Sequence, residues 1–382
     1  MRKLSLLAAA TALATALAAA MPALAAPTYT LTDIGDLAGG SNYSVAYGIN
    51  NLGQVVGSSI GASGQQIGFS WTNGVMTALP NLPGGNNYGT LARGINDSGQ
   101  IVGSGIGLNG STPVNRGIVW QNGVATSMGD LPGGGDLSQG WGINASGQVA
   151  GTSAAASGTT SALWQNGSLT NLGDLPGAAS SQGLAVNSSG HVVGVTAFSG
   201  TSKATLFVNG QATDLGDLPG GAVSSVARGI SDAGHIVGQS ITTNGSTNVT
   251  HAFMLINGVM TDLGDLAGGT NQSIAFGVNS AGRVAGYGFD SVGSQATMWF
   301  DSQIFSLASL VSNLGGWRLI QATAINERGQ IVGSGTLGGV TRAFLLTPDS
   351  FDDAVAEVPE PAALGLFGLG LAALRLRRRR AA

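Results

Sequence analysis

The sequence predicts an all-β protein, a seven-bladed β-propeller of four-stranded blades. Three observations predict it: a repeat with seven copies, two turn signatures in each copy, and a fourth strand that is missing at one end of the repeats and present at the other. "GINNLGQVVG" from Gly48 returns from Gly94, Gly142, Ala185, Gly229, Gly277 and Ala324, at spacings of 43 to 48 residues. A period in this range belongs to stacked or radially arranged units, and it overrides any domain count taken from length.

Within one unit the signals are those of short antiparallel strands. Asn50 to Gly53 suits a type I turn with glycine where positive φ is needed, so "GIN" ends a first strand and "QVVG" opens a second. A second hairpin turns on Asn-Gly at Asn73, Asn122, Asn166, Asn209 and Asn257, with Asp301-Ser302 in the sixth slot, as two-residue type I′ turns prefer. The strand before that turn carries Trp71, Trp120, Trp164, Phe207, Leu255, Trp299 and Leu346 in equivalent positions, which reads as packing between blades. The seventh unit lacks its fourth strand, while "TYTLTDIGDLAGG" from Thr28 matches a fourth strand yet precedes the first complete unit. A closed ring needs that strand to cover its last edge and an open solenoid does not, so a β-helix or other open solenoid is the alternative set aside.

The repeats occupy residues 28–347, and residues 348–358 form an acidic linker. At the N-terminus Arg2 and Lys3 precede an apolar run and then Ala23 and Ala25, the layout of a signal peptide over residues 1–25 cleaved after small residues. At the other end the apolar run Ala362 to Leu374 has thirteen residues. As a helix it would reach about 20 Å, a marginal span of a hydrocarbon core of about 30 Å. Arg375 and Arg377 to Arg380 then place that end on the cytoplasmic side and the repeats across the membrane.

Glycine reaches 64 of 382 residues, but it is periodic, so the content reflects turns rather than a disordered chain. No cysteine is present, so there is no disulfide framework. Between the two terminal segments the body holds eight basic and eighteen acidic residues, a balance that does not favour a nucleic-acid backbone.

Pro359, Glu360 and Pro361, the short apolar helix and the arginines Arg377, Arg378, Arg379 and Arg380 together resemble a PEP-CTERM sorting signal of Gram-negative bacteria, over residues 359–382. The resemblance implies transient membrane insertion of the tail, recognition and removal by an exosortase, and export to the cell surface or an exopolysaccharide matrix. The repeat also resembles the HAF-type extracellular repeat, through His251, Ala252 and Phe253 and the variant Arg342, Ala343 and Phe344. That resemblance implies a secreted bacterial protein and brings no activity with it.

No catalytic constellation, cofactor motif or metal-ligand spacing is expected. His191 and His235 fill a slot that is Gln in four copies, and read as solvated strand positions. Asp36, Asp130, Asp174, Asp217 and Asp265 recur in "GDL", with Asn81 in the second copy, and read as Asx-type turns at the blade crossovers rather than as a calcium site. The residue before each "GIN" core varies, as Tyr47, Arg93, Trp141, Leu184, Arg228, Phe276 and Thr323. Packing between blades accounts for such a position, but Tyr47, Arg93, Trp141, Arg228 and Phe276 are also the candidate ligand face. Length variation gathers in "GIGLNGSTPVNR" from Gly105 and "ITTNGSTNVTH" from Ile241, expected as binding loops on the top face. The expected protein is therefore a non-catalytic, monomeric binder of polysaccharide or another surface component, with a plain adhesive scaffold or a propeller hydrolase as alternatives.

Overall fold

The computed structural model describes residues 26–85 and 89–350. The predicted signal peptide with Ala23 and Ala25, and the sorting signal from Pro359 on, lie outside them. Seven four-stranded antiparallel sheets stand around a central channel. The first blade is Ser44–Ile49, Val55–Ile60, Gln66–Thr72 and Val75–Ala78. Its first strand lines the channel, as do Thr90–Ile95, Ser138–Ile143, Ser180–Val186, Gly220–Ile230, Ser273–Val278 and Trp317–Ile325 in the blades that follow.

The seventh blade takes its outer strand from the other end of the chain. Tyr29–Gly35 pairs antiparallel with Val340–Pro348, Tyr29 opposite Pro348 and Leu31 opposite Leu346. This closes the ring as the repeat registry predicts. The last strand runs through Pro348, and Asp349 donates its amide to the Thr28 carbonyl and accepts from the Thr30 hydroxyl, so the predicted linker boundary at 348 moves outward. The extra residues are recruited because the incoming strand offers backbone partners that far.

Both turn types form as their residues dictate. Asn73, Asn122, Asn166, Asn209 and Asn257 take positive φ with the following glycine also positive, and Asp301 and Ser302 do the same in the sixth blade. The apolar core lies between neighbouring blades. Between the seventh and first blades, for example, Ile34, Phe69, Trp71 and Leu345 pack together. The tryptophan slot is buried in every blade but the third, where Trp164 is half-buried. Between the sixth and seventh blades a short 3-10 helix, Leu307–Leu310, buries Leu307 and Leu310; nothing in the repeat pattern signals it.

The "GIN" asparagines do more than turn the chain. Asn50 accepts from the amides of Leu52 and Gln54, and its side-chain amide reaches the Asn96 carbonyl of the next blade at 3.0 Å. Asn96, Asn144, Asn187, Asn279 and Asn326 reach onward in the same way, Asn326 returning to the Asn50 carbonyl. A belt of hydrogen bonds thus runs around the channel floor, interrupted where Ser231 stands in the asparagine slot. Ser231→Asn is expected to complete the belt and raise the thermal midpoint, the new bond contributing about 1 kcal/mol; a melting curve at or below wild type would show that the gap is not worth filling.

Candidate functional site

Each inner strand is interrupted by a bulge at one equivalent place. The register against the second strand skips between Ala46 and Gly48, Ala92 and Gly94, Gly140 and Gly142, Gly183 and Ala185, Ala227 and Gly229, Ala275 and Gly277, and Ala322 and Ala324. The residue left over is Tyr47, Arg93, Trp141, Leu184, Arg228, Phe276 or Thr323. A bulge bends its strand and re-aims the unpaired side chain. All seven side chains line one cavity of about 320 Å³ in the upper channel, together with Gln321. They are half-buried, as channel-lining groups should be. The variable position is therefore a wall of the channel and not filling between the blades.

Glycine follows the bulged residue in five of the seven blades. A Cβ on Gly48 would lie 2.7 Å from the Arg93 carbonyl oxygen of the next blade, and one on Gly229 2.6 Å from that of Phe276. These five blades keep the slot bare and pack their inner strands closely there, while Ala185 and Ala324 fill it in the fourth and seventh.

Two arginines face the cavity. The Arg93 guanidinium carbon sits 3.9 Å from the centre of the Trp141 ring, with Tyr47 on its other flank at 6.0 Å. Arg228 repeats the arrangement three blades on, 5.1 Å from the centre of Phe276, and donates from Nε to Gln239 Oε1 at 2.9 Å. Loss of water around both guanidinium groups pulls their pKa values below the ordinary arginine range, partly offset by Tyr47 beside Arg93 and Tyr287 beside Arg228. Arg93 Nε and Trp141 Nε1 are buried without a hydrogen-bond partner.

Below this layer Ile49, Ile95, Ile143, Val186, Ile230, Val278 and Ile325 form an aliphatic girdle, and the asparagine belt with Asp97, Asp232 and Glu327 forms the lower mouth, a cavity of about 210 Å³. Those carboxylates cap turn amides of the preceding blade: Asp97 accepts from Asn51 N at 2.7 Å, Asp232 from Ser188 N at 2.7 Å, and Glu327 from Ser280 N at 3.0 Å. The channel is thus cationic and aromatic at one end and anionic at the other.

Three sequence expectations need correction. The "binding loops" are extensions of strands: Ile101–Asn109 pairs with Thr112–Gln121, and Ile236–Asn244 with Thr247–Ile256, each turning at one positive-φ glycine, Gly110 or Gly245. His191 and His235 are both half-buried, and the His235 side chain leans toward the turn glycine of the next blade, where a Cβ on Gly282 would lie 3.9 Å from its ring. The Asx-type turns belong to residues earlier than the "GDL" aspartates: Asp33, Asn171, Asp214 and Asp262 accept from the glycine amide two residues on. Asp36 and Asp130 instead pair with Arg342 and Arg116 on the neighbouring third strand, at 2.7 and 2.9 Å. Among the described residues no group of three or more His, Asp or Glu is placed to hold a metal ion.

His251, the first residue of the HAF motif, is one of these third-strand cations, with Nδ1 2.8 Å from Asp262 Oδ2. The bond to Asp262 raises its pKa despite desolvation, while for Asp262 desolvation is outweighed by the bonds from His251 and the Gly264 amide, so the carboxyl sits below its usual range. A histidine raised in the folded state stabilises fully below its unfolded pKa of about 6.5 and loses that contribution as pH rises through the folded value. The melting-temperature gap between wild type and His251→Gln is expected to be larger at pH 5.5 than at pH 8.5. An equal gap at both would show the pair contributes nothing.

Comparisons with known proteins bear on the C-terminal tail and on the fold. Residues 357–380 match the PEP-CTERM protein-sorting motif, which implies processing by an exosortase and export to the bacterial cell surface. Among solved structures, the β-propeller domain of the Trilobed protease from Pyrococcus furiosus superposes with a TM-score of 0.52 at 10% identity, over 82% of this chain and 98% of that one. That domain is described as having an open velcro topology, whereas here the N-terminal strand closes the seventh blade. TolB from Acinetobacter baumannii (TM-score 0.40, 12% identity, 65% of this chain and 64% of that one) and an arginine-to-alanine mutant of AofleA from Arthrobotrys oligospora (0.38, 11%, 75% and 92%) are more distant. No curated protein matches the chain.

Proposed function

We propose that this exported propeller is a non-catalytic, HAF-type repeat protein that binds a polysaccharide at the upper mouth of its channel, on the Gram-negative cell surface or in its exopolysaccharide matrix. The observation that carries the reading is the set of seven bulges. In every blade the most variable position of the inner strand is turned into a shared cavity, where Tyr47, Arg93, Trp141, Arg228 and Phe276 meet. A cavity of about 320 Å³ is at the lower end of the range for small-ligand sites. Aromatic faces suit the C–H faces of sugar rings, and arginine forks suit their oxygens. Binding is favoured over hydrolysis because a glycosidase works with a carboxylate pair flanking the scissile bond, and the carboxylates of this channel sit at the other mouth, engaged with turn amides.

A glycan array probed with the full-length protein tests the reading. Binding to a subset of glycans, lost on Trp141→Ala, is the expected result. A blank array, with no retention on the host's own matrix polysaccharide, would leave only a scaffold.

A further inference from the structure

We infer that the sugar unit taken by the upper mouth bears a carboxylate, a uronic acid residue within a saccharide, held by Arg93 and Arg228; this rests on the polysaccharide reading above. The body of the chain has few cations, and most are committed elsewhere. Arg116, Lys203 and Arg342 pair with aspartates, and Arg318 donates to the carbonyls of Val292 and Ser294. Arg93 and Arg228 alone among the arginines line the upper cavity, and among the described residues neither has an ion-pair partner.

Two half-buried guanidinium groups without a counter-charge are costly unless something supplies one. Each lies against an aromatic ring of the next blade, Trp141 or Phe276, which covers a face of the guanidinium; Arg228 Nε is given to Gln239, and the terminal N–H groups of both arginines are left to donate. The free edge of a planar fork matches a carboxylate. The same arginine-on-aromatic unit occurs twice, three blades apart, so the cavity has cationic walls on opposite sides. A neutral sugar offers the arginines hydroxyl oxygens but no counter-charge. The acidic surface outside the mouth disfavours extended phosphate backbones, so the positive potential is local to the cavity.

The test is calorimetric titration of the full-length protein with a uronic acid tetrasaccharide, its carboxyl-reduced neutral counterpart and a sulfated tetrasaccharide. The acidic ligand is expected to bind, with the reduced one weaker by about tenfold to a hundredfold, the range for losing a hydrogen bond to a charged group. Arg93→Gln and Arg228→Gln should each weaken the acidic ligand comparably, while Arg328→Gln, on the exposed lower turn, should not. Should a channel variant fail to fold, as its melting curve would reveal, the comparison of acidic and reduced ligands on wild type still decides. Equal binding of the neutral counterpart overturns the carboxylate and leaves the polysaccharide reading standing. Binding of the sulfated ligand alone also overturns the carboxylate. No binding of any saccharide removes the polysaccharide reading and this inference with it.

Discussion

Deleting residues 26–35 is expected to cost the protein most of its stability. The strand Tyr29–Gly35 is the whole outer edge of the seventh blade, and its loss leaves Val340–Pro348 with a naked row of backbone groups. Each lost ladder hydrogen bond is worth about 0.5–1.5 kcal/mol net. Tyr29 adds more, since it is fully buried beside Met298, Trp317, Leu319 and Phe344, where desolvation pushes its hydroxyl pKa up to about 12. Truncating a buried aromatic to alanine alone costs about 3–5 kcal/mol, against a typical total of roughly 5–15 kcal/mol. The matched control is deletion of residues 351–357, which starts beyond Asp349 and its bonds to Thr28 and Thr30. Thermal unfolding should show the first deletion as severe and the second as near neutral; two equally mild deletions would mean that the N-terminal strand does not hold the ring.

The second large effect is expected from Gly238→Ala, one methyl group in an inner hairpin. The bulge at Arg228 brings the Val226 carbonyl over Gly238, so that a Cβ there would lie 1.9 Å from the oxygen. Gly57, Gly103, Gly151, Gly194, Gly286 and Gly333 stand in the same relation to their own bulges, at 1.8 to 2.3 Å. The obstructing atom is backbone and cannot rotate away, so the strand must shift, at a cost of about 3 kcal/mol or more. Gly135→Ala, with nothing within 4 Å of its Cβ, is the control and should cost little. Because the shift moves the bulge, the substitution should also displace Arg228 from Phe276. A melting curve that places Gly238→Ala beside Gly135→Ala would show that the bulge does not require glycine.

These glycines mark the boundary of what the sequence discloses. The type I′ turns and the closing strand are readable because Asn-Gly, or a fourth-strand motif out of order, carries its structural demand locally. The bulge is decided by how the first and second strands align, a register that no residue names by itself. Two signals did point to it: an unvarying glycine in "QVVG" with no turn to explain it, and a variable residue framed by small ones, as Tyr47 is by Ala46 and Gly48. The variable position was legible as unusual; its place in the channel was not. Asn50 likewise reads as a turn residue, while its bond to Asn96 of the next blade is tertiary and appears only once the ring is built. The charge pairs across the outer strands are legible in hindsight. Arg116, Lys203, His251 and Arg342 all face aspartates, and in the first blade, where the slot is Ile67, the fourth strand has Ala78 and Asn81 instead.

The claim that function resides in the bulge-built mouth, and not in the projecting hairpins, is tested most directly by retention of the full-length protein on the host's matrix polysaccharide. One variant carries Arg93→Gln, Trp141→Ala and Arg228→Gln, and the other replaces residues 107–114, the tip of one of the two extended hairpins, with a two-residue turn. Both must first match the wild-type melting profile closely enough to be folded. The account predicts that the channel variant loses binding by at least about tenfold, as expected for removing charge-assisted contacts, and that the shortened hairpin binds as wild type does. Retention by the channel variant together with loss by the hairpin variant would contradict it.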